Sequence, residues 1–112
     1  MSERNGTEGG ICPTVQAAFE LLGKKWTGLI IKVLLERDHC FAELERAVPS
    51  LSSRMLALRM KELEGAGILT RTVSEGTPIR VTYGLTAKGR ALGPVYSGLE
   101  AWAHEWAELV SD

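Results

Sequence analysis

The sequence predicts a mostly helical domain of the α+β class, because its apolar residues follow two different periods. Over most of the 112 residues, apolar side chains recur three or four residues apart, as in an amphipathic α-helix. Between residues 69 and 83 the period changes to two, which is typical of strands. With 45% hydrophobic and 24% charged residues, the composition is that of a folded globular protein.

The chain is expected to be a single domain preceded by a short tail. Residues 1–11 are polar and rich in glycine, which predicts a flexible N-terminal tail before a domain of residues 12–112. The tail lacks the apolar segment of a signal peptide, and the longest apolar run, residues 29–35, is too short to cross a bilayer. We therefore expect a cytoplasmic protein with no membrane partner.

Residues able to perform chemistry are few and scattered. The two cysteines, Cys12 and Cys40, and the two histidines, His39 and His104, do not have the spacing of a metal site. No nucleophile stands with a base and an orienting group in a pattern typical of catalysis. The sequence therefore predicts no metal, no cofactor and no enzymatic activity.

Four helices are predicted before residue 66. Pro13 suits a first helical turn, because its missing N–H would be unpaired there, and Gly23 ends that helix. Ser52 is a favourable N-cap, since its side chain can accept from the unpaired N–H groups of a following helix. The predicted helices are residues 12–22, a strongly amphipathic helix beginning at Trp26, a short helix from Phe41 to Val48, and residues 53–65.

A hairpin and a last helix complete the prediction. Residues 69–73 and 79–83 alternate as strands do, and the turn at residues 74–78 joins them. Thr86 is an N-cap for a long C-terminal helix of residues 87–110, in which Gly93-Pro94 introduces a kink.

This order of elements predicts a winged helix-turn-helix, and with it DNA binding. A short helix, a tight turn and a second helix, followed directly by a hairpin, describe that fold. An α-helix fits the major groove, and its N-terminal residues reach base edges, while a hairpin can contact phosphates or the minor groove. The alternatives are an ordinary solvated helix face, and a pairing of Arg80 with Glu75 across the hairpin. The predicted DNA contacts are Ser52, Ser53, Arg54, Arg59, Lys61 and Arg80.

The charge distribution supports this prediction although the net charge is only −1. Residues 52–90, the predicted reading helix and wing, hold 7 basic and 3 acidic side chains. Residues 91–112 hold no basic and 4 acidic side chains. A basic segment is therefore cancelled by an acidic one, and DNA affinity is expected to fall steeply with salt.

The residues themselves resemble the HxlR-type winged-helix transcriptional regulators of bacteria. The resemblance implies a homodimeric DNA-binding regulator, and several such proteins sense electrophiles or oxidants through a cysteine in the first helix. This chain departs from the family pattern at Ala57 and Leu58, where polar residues are more usual. The matching runs are Cys12-Pro13, Gly23-Lys24-Lys25-Trp26, Phe41-Ala42-Glu43-Leu44, Leu51-Ser52, Lys61-Glu62-Leu63-Glu64, Gly67-Ile68-Leu69-Thr70-Arg71 and Val81-Thr82-Tyr83.

Cys12 is the candidate sensor. A cysteine at a helix start faces unpaired N–H groups and the positive end of the helix dipole, and both favour the reactive thiolate. One interpretation is a switch operated by oxidation or by an electrophilic or small-molecule inducer. The other is a small, partly buried cap residue with no sensing role.

The first and last helices carry the candidate dimer interface. A two-fold dimer would read a pseudo-palindromic operator with half-sites about 34 Å apart. The alternatives are an apolar stripe that packs within the chain and a small-ligand pocket lined by Trp102 and Trp106. The predicted interface residues are Val15, Phe19, Tyr96, Leu99, Trp102, Trp106 and Leu109.

The sequence thus predicts a sequence-specific, homodimeric DNA-binding transcriptional regulator with its recognition helix at residues 53–65. The competing hypothesis is a winged-helix protein-interaction module that does not bind DNA. Such a module would carry a neutral or acidic face where this chain has Arg54, Lys61 and Arg80.

Overall fold

The computed structural model describes residue 10 and residues 12–106 of the chain. The predicted sensor lies inside this range, whereas Leu109, the end of the predicted helix 87–110, and all of the predicted tail except Gly10 lie outside it. The described elements are α1 (Pro13–Leu22), α2 (Thr27–Glu36), α3 (Phe41–Ala47), α4 (Ser53–Gly65), β1 (Leu69–Val73), β2 (Val81–Leu85), α5 (Ala87–Arg90) and α6 (Gly93–Glu105).

The core lies between α2, α3, α4 and the base of the hairpin, on the apolar faces that the helical spacing predicts. Ile30, Ile31 and Leu34 of α2 are completely buried. They pack with Leu44 of α3 and Leu56 of α4, which are also completely buried. Each such aliphatic side chain contributes roughly 1.5–3 kcal/mol to folding through loss of contact with water.

The hairpin is antiparallel, and the segment before α3 fixes its base. Its register runs from Leu69 opposite Leu85 to Val73 opposite Val81, so the predicted strand residue Ile79 lies outside β2. His39 adds one bridge, in which its N–H donates to the Tyr83 carbonyl at 3.0 Å and its carbonyl accepts from the Tyr83 N–H at 2.8 Å. This bridge ties the wing to the helix-turn-helix.

The prediction of one helix over residues 87–110 is wrong, because α5 and α6 are separate helices. Thr86 does cap α5, accepting from the Gly89 N–H at 3.1 Å, but that helix ends at Arg90. Helix α6 begins at Gly93, with Pro94 in its first turn. A proline has no N–H to donate, and its ring clashes with the carbonyl four residues earlier, here that of Arg90. The chain therefore bends at residues 91–92.

The first helix differs from the others because none of its residues is buried. Only Leu21 and Leu22 at its C-terminal end pack partly against the core. No helix in the described part of the chain is long and apolar enough to cross a membrane.

Candidate nucleic-acid interface

Two serines form hydrogen bonds at the start of α4, one within the helix and one to α3. The Ser52 hydroxyl accepts from the Met55 N–H at 3.1 Å, which is the predicted N-cap. The Ser53 hydroxyl donates to the Glu45 carboxylate of α3. Both serines are exposed. Each therefore forms a hydrogen bond within the protein and is still accessible from solvent.

A second cap fixes α3 at its start. The Cys40 N–H donates to the Glu43 carboxylate at 3.0 Å, and the Arg37 guanidinium lies 3.5 Å from the same oxygen. The pKa of Glu43 is lowered, chiefly by this backbone hydrogen bond and further by the charge of Arg37. The cap thereby orients the short helix that precedes the turn.

The outer face of α4 carries two cations with apolar residues between them. Arg54 and Lys61 are exposed and lie seven residues apart, two helical turns on the same face. Ala57 and Leu58 lie between them and are also exposed. The opposite face packs into the core through Leu56, Met60 and Leu63.

A cleft of about 800 Å³ separates α4 from the wing. Its basic residues are Arg54, Lys61 and Arg71, the last on β1 directly opposite Tyr83. The structure therefore brings two predicted DNA contacts together with one arginine that was not among them. A basic residue at the centre of the first wing strand was the available signal for Arg71.

Arg59 has to be removed from the set of free DNA contacts. Its side chain is only 13% exposed. Its Nε donates to the Lys25 carbonyl at 2.9 Å, and its Nη1 lies 3.2 Å from Glu62 Oε1. Glu62 is also paired with Lys24 at 3.1 Å. Arg59 lies nearer the core side of α4 than Arg54 does, and there it joins the helix to the α1–α2 turn.

Arg80 stands at the end of the wing with its side chain exposed. Its N–H donates to the Ser74 hydroxyl at 2.9 Å, and its carbonyl accepts from the Ser74 N–H at 2.8 Å, which closes the hairpin loop. Among the described residues no ion pair joins Arg80 to Glu75, so the alternative interpretation, a pairing across the hairpin, is not formed.

Cys12 is the N-cap residue of α1, and it is exposed rather than partly buried. The pKa of its thiol is lowered, first by the backbone N–H of Val15 and then by that of Thr14. The thiol makes no capping hydrogen bond, but it lies at the positive end of the helix dipole. A larger fraction of this accessible thiol is therefore ionised at a given pH than of an ordinary cysteine.

Five of the predicted interface residues are exposed, and one is not. Val15 and Phe19 of α1 and Leu99, Trp102 and Trp106 of α6 are all between 45% and 69% exposed. Tyr96 is only 8% exposed and packs beside Gly28, so it belongs to the core of the chain. Its hydroxyl has no hydrogen-bond partner among the described residues. Lys32 and Glu100, 2.7 Å apart, join α2 to α6 next to it.

Within the described residues, no three His, Cys, Asp or Glu side chains cluster where they could hold a metal ion.

The fold and the basic helix face define the class: a winged helix-turn-helix domain of the DNA-binding type. The model of the HxlR-like helix-turn-helix family matches residues 21–111, and the chain belongs to that family.

Known relatives agree with this assignment. The chain is 46% identical over 98 residues to the HTH-type transcriptional regulator YodB of Bacillus subtilis, covering 88% of each protein. The structure of reduced YodB superposes with a TM-score of 0.81 at 44% identity, covering 91% of this chain and 100% of that one. The redox regulator HypR in its reduced form gives 0.80 at 32% identity, with 87% and 96% covered. YodB is also known in diamide-treated and quinone-bound forms.

These relatives are transcriptional regulators. The predictions of the family, of the winged helix-turn-helix fold and of a DNA-binding transcription regulator are thus confirmed.

Proposed function

We propose that the chain is a sequence-specific transcriptional regulator that binds a pseudo-palindromic operator as a homodimer, with α4 in the major groove. One observation carries the proposal. Arg54, Lys61, Arg71 and Arg80 form no ion pair and donate no side-chain hydrogen bond within the described residues. Five other basic side chains are engaged in ion pairs or hydrogen bonds, namely Lys24, Lys32, Arg37, Arg59 and Lys88. Lys25, Arg46 and Arg90 also form no ion pair among the described residues, but they do not line the cleft between α4 and the wing.

Three of these cations, Arg54, Lys61 and Arg71, line one cleft, and unpaired cations are what a phosphate backbone requires. Each Lys or Arg that neutralises a phosphate releases a condensed counterion, which drives binding. The arginine nearest the start of α4, Arg54, has the reach and the donor geometry for a guanine edge, whereas Lys61 suits a phosphate. A protein-interaction module without DNA binding would use this unpaired charge only with an acidic partner.

The homodimer is supported by the exposed apolar side chains of α1 and α6. A ten-residue helix without a buried side chain is marginal in water, and α1 exposes Phe19 at 69%. A second copy that covers α1 and the exposed tryptophans of α6, Trp102 and Trp106, removes this apolar surface from water. It also supplies the second reading helix that a two-fold operator needs.

We further propose that Cys12 switches the regulator. Its thiol is exposed and lies at the start of the proposed dimer helix. On a quinone the thiolate attacks a ring carbon, and an S–C bond forms as the C=C π bond of the ring breaks. One carbonyl oxygen takes a proton from solvent, and the hydrogen of the attacked carbon then moves to the other carbonyl oxygen, which gives the substituted hydroquinone. The bulky adduct at Cys12 then shifts α1 and changes the spacing of the two α4 helices. The quinone-bound form of YodB supports this proposal by analogy.

Selection from a random DNA library with the reduced protein tests the proposal. We expect enrichment of a two-fold symmetric site with half-sites about one helical turn apart. A parallel selection after quinone treatment should lose that site, and the variant Cys12→Ser should retain it. Enrichment of no sequence from the reduced protein would overturn DNA reading. Loss of the site from both proteins after quinone treatment would overturn the role of Cys12.

A further inference from the structure

A single leucine interrupts the basic face of α4. Leu58 is 46% exposed and is the one large apolar side chain of α4, among the described residues, that solvent reaches to this extent. It lies four residues after Arg54 and three before Lys61, so all three side chains leave the helix on one face. Ala57 beside it is exposed as well.

Leu58 is not part of the hydrophobic core. The core side of α4 is filled by Leu56, Met60 and Leu63, which are at most 3% exposed. Leu58 instead lines the cleft between α4 and the wing, whose basic residues include Arg54 and Arg71. If α4 enters the major groove with Arg54 and Lys61, then Leu58 faces the groove floor.

We infer that Leu58, flanked by Ala57, reads the C5-methyl group of a thymine in the operator. This inference rests on the proposed DNA-binding function and assigns part of its sequence preference. The edges of the base pairs in the major groove present hydrogen-bond donors and acceptors, and one apolar group, the thymine methyl. A leucine set against an acceptor or donor would deprive it of water without replacing its hydrogen bond, which is unfavourable. Against the methyl group, both partners leave water together.

The helix geometry also predicts where the methyl lies. Four residues along α4 separate Arg54 from Leu58, which is about 6 Å along the helix axis. Base pairs are spaced about 3.4 Å apart along one strand. The thymine read by Leu58 is therefore within about two base pairs of the base contacted by Arg54, in the same half-site.

The test removes the methyl group and the leucine separately. The operator obtained by selection is synthesised with each half-site thymine replaced in turn by deoxyuridine, which lacks only the methyl group. For the wild-type protein we expect affinity to fall about fourfold for the contacted methyl, and about 15-fold when both half-sites are changed. Leu58→Ala should bind the thymine and deoxyuridine operators alike, whereas Leu58→Met, which stays apolar, should keep the difference.

Arg54→Ala is the matched control on the same helix face. It should bind more weakly but retain the methyl dependence, since it removes a different contact. The inference is overturned if the wild-type protein binds its operator but is indifferent to every deoxyuridine substitution. It is equally overturned if Leu58→Ala shows the methyl dependence of the wild type. Failure of the wild type to bind any selected duplex would overturn the proposed function itself, which is a different result.

Discussion

The Nε of Arg59 donates to the backbone carbonyl of Lys25 at 2.9 Å, and this bond joins the reading helix to the turn between α1 and α2. The next residue, Trp26, has a φ of 79°, in the left-handed region that costs a bulky residue of order 1–3 kcal/mol. The Lys25 ammonium lies 5.0 Å from the centre of the Trp26 ring, on the same turn. The hydrogen bond from Arg59 therefore fixes the position of α4 relative to the strained turn between α1 and α2.

Arg59→Ala is expected to lower the free energy of unfolding by about 1–3 kcal/mol, because it removes both the charge-assisted hydrogen bond to the Lys25 carbonyl and the ion pair with Glu62. Equilibrium urea unfolding measures this loss. Arg54→Ala, on the exposed face of the same helix, should change the stability by less than about 0.5 kcal/mol. Equal stability losses in the two variants would contradict the different roles given to these arginines.

Tyr96→Phe is expected to raise the free energy of unfolding by about 1 kcal/mol. The Tyr96 hydroxyl is buried without a partner among the described residues, and burial also raises its pKa. Removing that hydroxyl removes a desolvation cost without creating a cavity. The same unfolding measurement tests it, and Tyr96→Ala serves as the reference that loses the ring and about 3–5 kcal/mol. A clear loss of stability in Tyr96→Phe would show that the hydroxyl has a partner.

Cys12 is expected to react with iodoacetamide at lower pH than an ordinary thiol. The pKa of Cys12 lies below the usual value, chiefly because of the Val15 N–H, so a larger fraction is thiolate at neutral pH. The rate is measured from neutral to alkaline pH in Cys40→Ser, which leaves Cys12 as the single thiol. The same variant unfolded in urea should have its half-maximal rate at higher pH. Identical profiles in the two states would contradict activation by the helix start.

Phe19→Glu is expected to produce monomers at micromolar concentration, where the wild type sediments as a dimer. The substitution places a negative charge in the proposed apolar interface between the two copies. An unpaired charge buried there is strongly unfavourable. Ile79→Glu is the matched control, since Ile79 of the wing is 67% exposed and Phe19 is 69% exposed. A wild type that sediments as a monomer, or a dimeric Phe19→Glu, would contradict the dimer.

Local signals in the sequence predicted the fold well. The cap at Ser52 predicts the start of α4, and the alternating pattern from Leu69 predicts β1. Both signals depend only on residues that are close in the sequence. Pro94 predicts a kink in a single helix, but the structure has two helices. The missing N–H and the clash of the proline ring together separate α5 from α6.

The errors at the candidate sites have a common cause in tertiary packing. The spacing of Tyr96 is the same whether the ring packs within its own chain or against a second copy, so the pattern could not decide between them. Arg59 looked like Arg54 in sequence, but its partner Lys25 is 34 residues away. Arg71 becomes a candidate DNA contact because it lines the same cleft as the outer face of α4. Only the folded chain shows that β1 lies close to α4.

If α4 reads DNA sequence, Arg54 contacts the edge of a base, and the substitution Arg54→Ala removes that contact. Titrations at matched salt compare the selected operator with a scrambled duplex, and Lys32→Ala, which removes one positive charge far from α4, is the control. We expect Arg54→Ala to lose roughly tenfold or more on the operator and much less on the scrambled duplex, while Lys32→Ala changes neither appreciably. Equal losses on both duplexes would show that Arg54 contacts only the backbone and would contradict sequence reading by this residue.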